Sequence, residues 1–165
     1  MRPLILLATV SAALLSLPAT AYDTRDLNQL KSQKRCIGCD LSGANLRDEN
    51  LAGADIRWSN LSEADLERAQ LAGADLTGAN LTNSKLLRAN FEGANLQGVV
   101  FHGVDLSATR FSDSDLRWSD MGHLDINRDL SRMDIRGAQL EGVRFSANYR
   151  CSDRSQPGRC APERR

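Results

Sequence analysis

An apolar residue recurs at every fifth position from Leu41 to Ile126, and this spacing limits the possible folds more than any other feature of the chain. A helix places its apolar residues near a period of 3.6 and a strand near 2.0, so neither explains a period of five. A single four-residue step follows Ile126, after which the series continues at Leu130, Ile135, Leu140 and Phe145 and reaches 22 units. The pattern therefore predicts a repetitive architecture.

Within each unit, a small residue usually stands two places before the apolar centre, and Asp or Asn stands immediately before it. The stretch LAGADLTGANLTNSKLLRANFEGANL, residues 71–96, shows the unit A-[D/N]-L-x-x most clearly. On these residues the chain resembles the pentapeptide-repeat family over about residues 39–147. The resemblance implies an all-β fold, a right-handed quadrilateral β-helix in which four units form one square coil and the centre and the small residue point inward.

The resemblance also sets the expected dimensions. The 22 units would make about 5.5 coils, and a spacing of ~4.8 Å between stacked strands gives a rod about 26 Å long. We expect the four-residue step between Ile126 and Leu130 to appear as a local defect, with one residue missing from one corner. Each coil buries its faces only against its neighbours, so both ends need caps.

The first residues predict export. Met1–Ala21 has the features of a secretory signal peptide: Arg2, an apolar stretch over residues 4–17, and a small-x-small cleavage site at residues 19–21. A membrane-spanning helix is the alternative, but the apolar stretch falls short of the ~20 residues that a bilayer requires. We therefore expect a periplasmic or secreted protein after removal of residues 1–21.

The ends of the mature chain lack the repeat. Residues 22–38 predict an N-terminal cap with a short helix after Asp23 and Thr24, and residues 148–165 predict a C-terminal cap with a basic tail. The predicted organisation is a single domain with the boundaries 1–21, 22–38, 39–147 and 148–165.

Four cysteines lie near the ends of the predicted rod. Because disulfides persist in exported proteins, two disulfides are expected. A rod about 26 Å long separates the two ends by more than a disulfide can bridge, which leaves Cys36–Cys39 and Cys151–Cys160 as the pairing. The C-x-x-C spacing of the first pair also allows a redox-active dithiol or a metal site, and both stay open as alternatives.

Candidate chemical groups are few. His102 and His123 would lie on adjacent coils, one position off vertical, where a metal shared with Asp120 is an alternative to two ordinary exposed histidines. The Asp and Asn residues before the centres recur too regularly for catalytic pairs, and we expect them to form ladders that accept hydrogen bonds from backbone N–H groups. We expect no catalytic residue, no bound metal and no cofactor, so the sequence predicts a protein that is not an enzyme.

Net charge helps to choose between functions. Loss of residues 1–21 removes Arg2 and no acid, so 21 basic and 21 acidic residues become 20 and 21, a mature net charge of −1. The sequence predicts a rigid scaffold with a protein partner, no nucleic acid and no membrane insertion; its oligomeric state is left open. The family resemblance implies an alternative, a DNA mimic that binds type II topoisomerases, but the near-zero charge and the export signal count against it.

One outward column of the predicted coil suggests where a partner binds. The sequence Arg57-Trp58-Ser59-Asn60 recurs as Arg117-Trp118-Ser119-Asp120, three whole coils further along the chain. The same column carries Gly78 and Gly98 between the tryptophans, which predicts a shallow notch about 14 Å long with bare backbone between two indoles. We expect this notch, flanked by Arg57 and Arg117, to accept an extended anionic or aromatic segment. The alternative is chance alignment, because glycine is frequent at this position of the repeat.

Overall fold

Parallel pairing between successive coils organises the chain. The computed structural model describes residues 22–122, Leu124, residues 132–145, and the backbone of residues 149–151 and 160–162. The predicted signal peptide lies outside these residues. Every fifth residue from Arg35 to Val100 pairs with the residue four units further along the chain, as in Arg35 with Asp55 and Val100 with Asp120. Each coil over these pairings therefore contains four five-residue sides, as the family resemblance implies.

The apolar centres fill the interior of the coils. Leu71, Leu76, Leu81 and Leu86 occupy four successive sides and are all 0% exposed. The small residues two places before the centres are buried with them, because little room remains between neighbouring side chains. Phenylalanine replaces leucine at several later centres, where Phe91 stacks on Phe111 with ring centroids 5.3 Å apart and Phe101 meets Phe111 edge-on at 6.0 Å.

Each side ends in a tight turn. The second residue after each centre, from Gly38 to Trp118, has a positive φ between 58° and 68°. Asp or Asn before the centre accepts a hydrogen bond from the backbone N–H two residues later; for example, Thr77 N donates to Asp75 Oδ1 at 3.0 Å and Thr82 N donates to Asn80 Oδ1 at 3.0 Å. This arrangement confirms the predicted structural role of the Asp and Asn ladders.

A helix covers the first coil. Helix α1 comprises Thr24–Gln33, and the Asp23 side chain caps it by accepting a hydrogen bond from Arg25 N. Leu30 is buried against the coil, and Lys31 Nζ lies 2.6 Å from Glu49 Oε1. The pairing already begins at Arg35, and Cys36 is buried at a central position. The repeat therefore starts one unit earlier than the predicted boundary at residue 39.

The coil near the C-terminal end contains additional residues. Val100 pairs with Asp120 at the regular spacing. Arg110 pairs with Asp134 and Asp115 with Gln139, and each of these partners lies four positions further along the chain than the regular spacing would place it. The strands β1 (Asp120–Met121) and β2 (Arg144–Phe145) keep the longer separation. The predicted loss of one residue from a corner is therefore wrong: the coil gains four residues between Asp120 and Asp134. The step between Ile126 and Leu130 itself lies outside the described residues.

Two antiparallel strands follow the last coil. Strands β3 (Tyr149–Cys151) and β4 (Cys160–Pro162) complete a sheet of order β1-β2-β3-β4, and Cys151 lies directly opposite Cys160 in the register. Directly opposed residues in antiparallel strands have Cα atoms about 4.5–5.5 Å apart, within the range of a disulfide. The bond between Cys151 and Cys160 stays a prediction. Among the described residues, no helix has the length and apolar character needed to cross a bilayer.

Candidate binding surface

The first of the two tryptophans lies flat on the neighbouring coil. Trp58 occupies the turn position of its side, with a φ of 60°, and 65% of its surface is exposed. A Cβ atom added to Gly78 would lie 2.1 Å from Cζ3 and 2.2 Å from Cε3 of the Trp58 indole. The six-membered ring therefore occupies the space that any side chain at position 78 would need. One face of the indole packs on the Gly78 backbone and the other faces solvent.

The second tryptophan repeats this geometry. Trp118 has a φ of 62° and 61% exposure, and a Cβ atom added to Gly142 would lie 2.3 Å from Cε3 of its indole. Both indoles lean toward the C-terminal end of the rod. Gly142 was missed in the sequence because the four additional residues displace it from the regular frame of the coil. Only knowledge of that insertion would have placed it beside Trp118.

The notch between the indoles is narrower than predicted. The indole of Trp58 covers Gly78, whereas nothing lies within 4 Å of a Cβ atom added to Gly98. Bare backbone is therefore limited to one coil. We call the surface formed by Trp58, Gly98 and Trp118, with the supporting Gly78 and Gly142, the tryptophan platform. With ~4.8 Å between coils, the two indole positions are about 14 Å apart along the rod.

The two flanking arginines are already paired. Arg57 binds Asp55 through Nε at 2.7 Å and Nη2 at 2.9 Å. Arg117 binds Asp115 in the same two-pronged way, at 2.9 and 2.6 Å. Hydrogen bonding from these guanidinium groups holds the pKa of each partner carboxyl below its ordinary value, so both aspartates are ionised at neutral pH. Each arginine charge is balanced locally, and the platform has no excess positive charge from this pair.

The other candidate groups lie away from the platform. Cys36 and Cys39 form a disulfide with a Cα separation of 5.5 Å, and both residues are buried. Asp26 lies close enough to these sulfurs to complete a three-ligand group, the one such cluster in the described part of the chain. Because both sulfurs are in the disulfide, they are not available as thiolate ligands in this state.

Among the described residues, His102 contacts the carboxylate of Asp120. Its Nε2 lies 3.1 Å from Asp120 Oδ1, and Arg144 Nη1 lies 3.1 Å from the other oxygen of the same carboxylate. His123, the predicted neighbour of His102, lies outside the described residues. The Asp120 carboxylate therefore joins His102 and Arg144 in one polar cluster at this corner.

Comparisons with known proteins agree with the geometry of the coils. The family model for pentapeptide repeats matches residues 50–86 and 84–122. The chain belongs to the pentapeptide-repeat family. No curated protein matches the sequence at a significant level.

Solved structures of other pentapeptide-repeat proteins resemble this one. HetL from the cyanobacterium Nostoc sp. strain PCC 7120, which is involved in regulating heterocyst differentiation, is 27% identical with a TM-score of 0.52. The match covers 67% of this chain and 52% of HetL, so this pentapeptide-repeat protein spans about half the length of HetL. The similarity to HetL and the match to the family model imply a right-handed β-helix for the stacked coils.

Two further solved structures show weaker similarity. Rfr23 from the cyanobacterium Cyanothece 51142 is 23% identical, with a TM-score of 0.39 and coverage of 75% of this chain and 95% of Rfr23. QnrB1, a plasmid-mediated fluoroquinolone resistance protein, is 17% identical, with a TM-score of 0.37 and coverage of 68% of this chain and 82% of QnrB1.

The side opposite the tryptophan platform of this pentapeptide-repeat protein has an open cleft of about 340 Å³. Leu87, Lys85 and Asp105 are among its lining residues. The cleft lies at the surface, because buried side chains fill the interior of the coils and leave no room for a deep pocket. The cleft is shallow, with charged groups at its rim.

Substitution of Gly78 tests how the platform is built. We expect Gly78→Ala to displace the Trp58 indole, because the new Cβ would overlap the ring, and to shift the tryptophan fluorescence emission. Gly73→Ala is the matched control: Gly73 has the same φ of 66°, but nothing lies within 4 Å of an added Cβ. Both changes introduce similar backbone strain of about 1–2 kcal/mol, so only the clash differs. Identical emission spectra in the two variants would contradict the flat packing of Trp58 on Gly78.

Proposed function

We propose that this pentapeptide-repeat protein is an exported, rigid scaffold without catalytic activity that acts by binding a partner at the tryptophan platform. The observation that carries the proposal is the duplicated unit in which an exposed tryptophan lies flat on a glycine of the next coil. The only two tryptophans of the chain lie at this surface. Large aromatic residues with one solvent-exposed face are typical of binding surfaces and uncommon elsewhere on a polar exterior.

Export is supported by two independent features. Residues 1–21 have the sequence of a cleavable secretory signal. The disulfide between Cys36 and Cys39 fits an oxidising compartment, because disulfides are rare in the cytosol. The mature protein then begins at Tyr22.

The alternative functions have less support. A DNA mimic requires a strongly acidic surface, whereas the predicted mature charge is −1 and the platform arginines are balanced by aspartates. A thiol redox protein requires an accessible dithiol, whereas Cys36 is 0% exposed and Cys39 is 8% exposed. A binding scaffold needs neither feature.

Two measurements test this function. Expression of the full chain with its own first residues, followed by cell fractionation and mass spectrometry, is expected to recover a mature protein that begins at Tyr22 outside the cytoplasm. Mature protein immobilised as bait is then expected to retain a component of an extracytoplasmic extract, and Trp58→Ala/Trp118→Ala is expected to lose it.

Arg88→Ala is the matched control for the capture, since Arg88 occupies the same turn position, with a φ of 61°, on the opposite side of the coil. Recovery of the protein with residues 1–21 intact in the cytoplasm would contradict export. Equal capture by all variants would contradict binding at the platform.

A further inference from the structure

We propose that the tryptophan platform binds an uncharged saccharide chain, with one sugar ring stacked on each indole. This inference rests on the proposed function and names the ligand class for the same surface. It replaces, at this surface, the protein partner that the sequence predicts. The contacts made by the residues of the platform argue against the other common classes of ligand.

An anionic ligand does not fit the platform. Acidic or phosphorylated segments are recognised by arginines whose guanidinium groups are free to bind them. Here Arg57 and Arg117 each make a two-pronged ion pair with an aspartate two residues away. Single-stranded nucleic acid has the same requirement, since base stacking is combined with a positively charged groove for the backbone.

Peptide ligands in regular conformations also lack what they need. A peptide that adds a strand requires an unpaired sheet edge, but the ladder engages the backbone at the platform: Trp58 N donates to Thr77 O at 2.9 Å and Gly98 N donates to Arg117 O at 3.0 Å. A helical peptide requires an apolar groove, and the bare backbone here is only one coil wide. A polyproline segment repeats its face every three residues, or about 9 Å, which does not match indoles about 14 Å apart.

A sugar ring fits the exposed, flat indole faces of the platform. The face of an indole has negative electrostatic potential, and it attracts the weakly positive C–H groups that cover one face of a pyranose ring. Each indole of the platform is held flat by a glycine beneath it and leaves its outer face to solvent. The ring therefore needs no rearrangement to accept a flat ligand, which reduces the entropic cost of binding.

Polar groups beside the indoles can bind the hydroxyl groups of a sugar. Thr77 and Gln97 lie in the adjacent outward column between the two arginines. Thr77 Oγ1 donates to Asp75 Oδ1 at 2.6 Å and Gln97 Nε2 donates to Asp115 Oδ2 at 2.7 Å, so each side chain offers a sugar hydroxyl its oxygen as an acceptor. Neither indole N–H donates a hydrogen bond to another residue in the described part of the chain, so both donors face solvent or ligand. Bare backbone at Gly98 lets a chain pass from one indole to the other without a steric barrier.

Tryptophan fluorescence tests the inference directly, because Trp58 and Trp118 are the only tryptophans in the chain and the signal reports the platform alone. The mature protein is titrated with cellohexaose and with chitohexaose while tryptophan emission is recorded. Isothermal titration calorimetry measures the same affinities independently of tryptophan fluorescence, so it also applies to the tryptophan variants. We expect at least one of the two saccharides to change the emission and to saturate. Trp58→Ala and Trp118→Ala are each expected to weaken that binding by at least about tenfold.

Two comparisons make the outcome decisive. Arg88→Ala is expected to bind the saccharide as tightly as the unmodified protein. An acidic peptide and a proline-rich peptide are titrated in parallel, and we expect neither to bind.

Binding of a peptide instead of either saccharide, or equal saccharide affinity in the tryptophan variants, would overturn the inference. Binding of a peptide would contradict the saccharide ligand but leave the proposed scaffold function intact. If the protein also captures no component of the extract, the scaffold function is contradicted together with the saccharide ligand.

Discussion

Leu76→Asp is expected to abolish cooperative unfolding of the domain. Leu76 is 0% exposed and occupies a central position between the coils above and below it. An unpaired carboxylate there would lose its hydration without gaining a partner, which costs several kcal/mol against a total stability of about 5–15 kcal/mol. Circular dichroism during thermal denaturation measures the effect.

The control for this change is Leu76→Met, which keeps the volume and the apolar character of the side chain. Its expected cost is less than about 1.5 kcal/mol. A sharp melting transition in Leu76→Asp, at a temperature close to that of Leu76→Met, would show that position 76 does not point into the core.

Phe111→Ala is expected to reduce the free energy of unfolding by about 3–5 kcal/mol. Phe111 is fully buried and contacts two other aromatic rings, stacking on Phe91 and meeting Phe101 edge-on. Removal of its ring leaves a cavity and eliminates both aromatic contacts. Urea denaturation of the purified mature protein gives the free energy.

Phe111→Leu provides the comparison, since leucine is the usual residue at the centre of a unit and fills most of the space. A smaller loss than that of the alanine variant is expected. A loss below about 1 kcal/mol in Phe111→Ala would mean that the three rings do not form a packed cluster.

The repeat made most of the fold predictable, because its resemblance to the pentapeptide-repeat family implies a coil of four five-residue sides. Once four five-residue sides close a coil, the inward positions of Leu71, Leu76, Leu81 and Leu86 follow directly from their spacing. The Asp and Asn ladders were predictable for a related reason: a short polar side chain before a tight turn is well placed to accept the backbone N–H two residues later.

Departures from the repeat were not predictable in the same way. The four-residue step after Ile126 is compatible with a shortened corner or with a lengthened coil, and only the pairing of Arg110 with Asp134 distinguishes the two. Cys36 lacks the usual Leu or Phe of a centre, so the first unit was not recognised from its residues.

The tryptophan platform was half predictable. Trp58 and Trp118 are separated by three whole coils, which places them in one outward column. The sequence does not specify which neighbouring coil each indole covers. That choice depends on side-chain orientation at the turn, and it decides which glycine stays bare. The ion pairs of Arg57 and Arg117 depend in the same way on rotamers that the spacing along the chain does not determine.

Oxidative footprinting of the platform tests the central claim most directly. The mature protein is labelled with hydroxyl radicals, free and in complex with the component it retains from an extracytoplasmic extract, and mass spectrometry follows each side chain. Trp58 and Trp118 are expected to react readily in the free protein and to become protected together in the complex, while Leu87 on the opposite side keeps its reactivity. Unchanged reactivity of both tryptophans, with protection of Leu87 instead, would contradict the assignment of the platform as the binding surface.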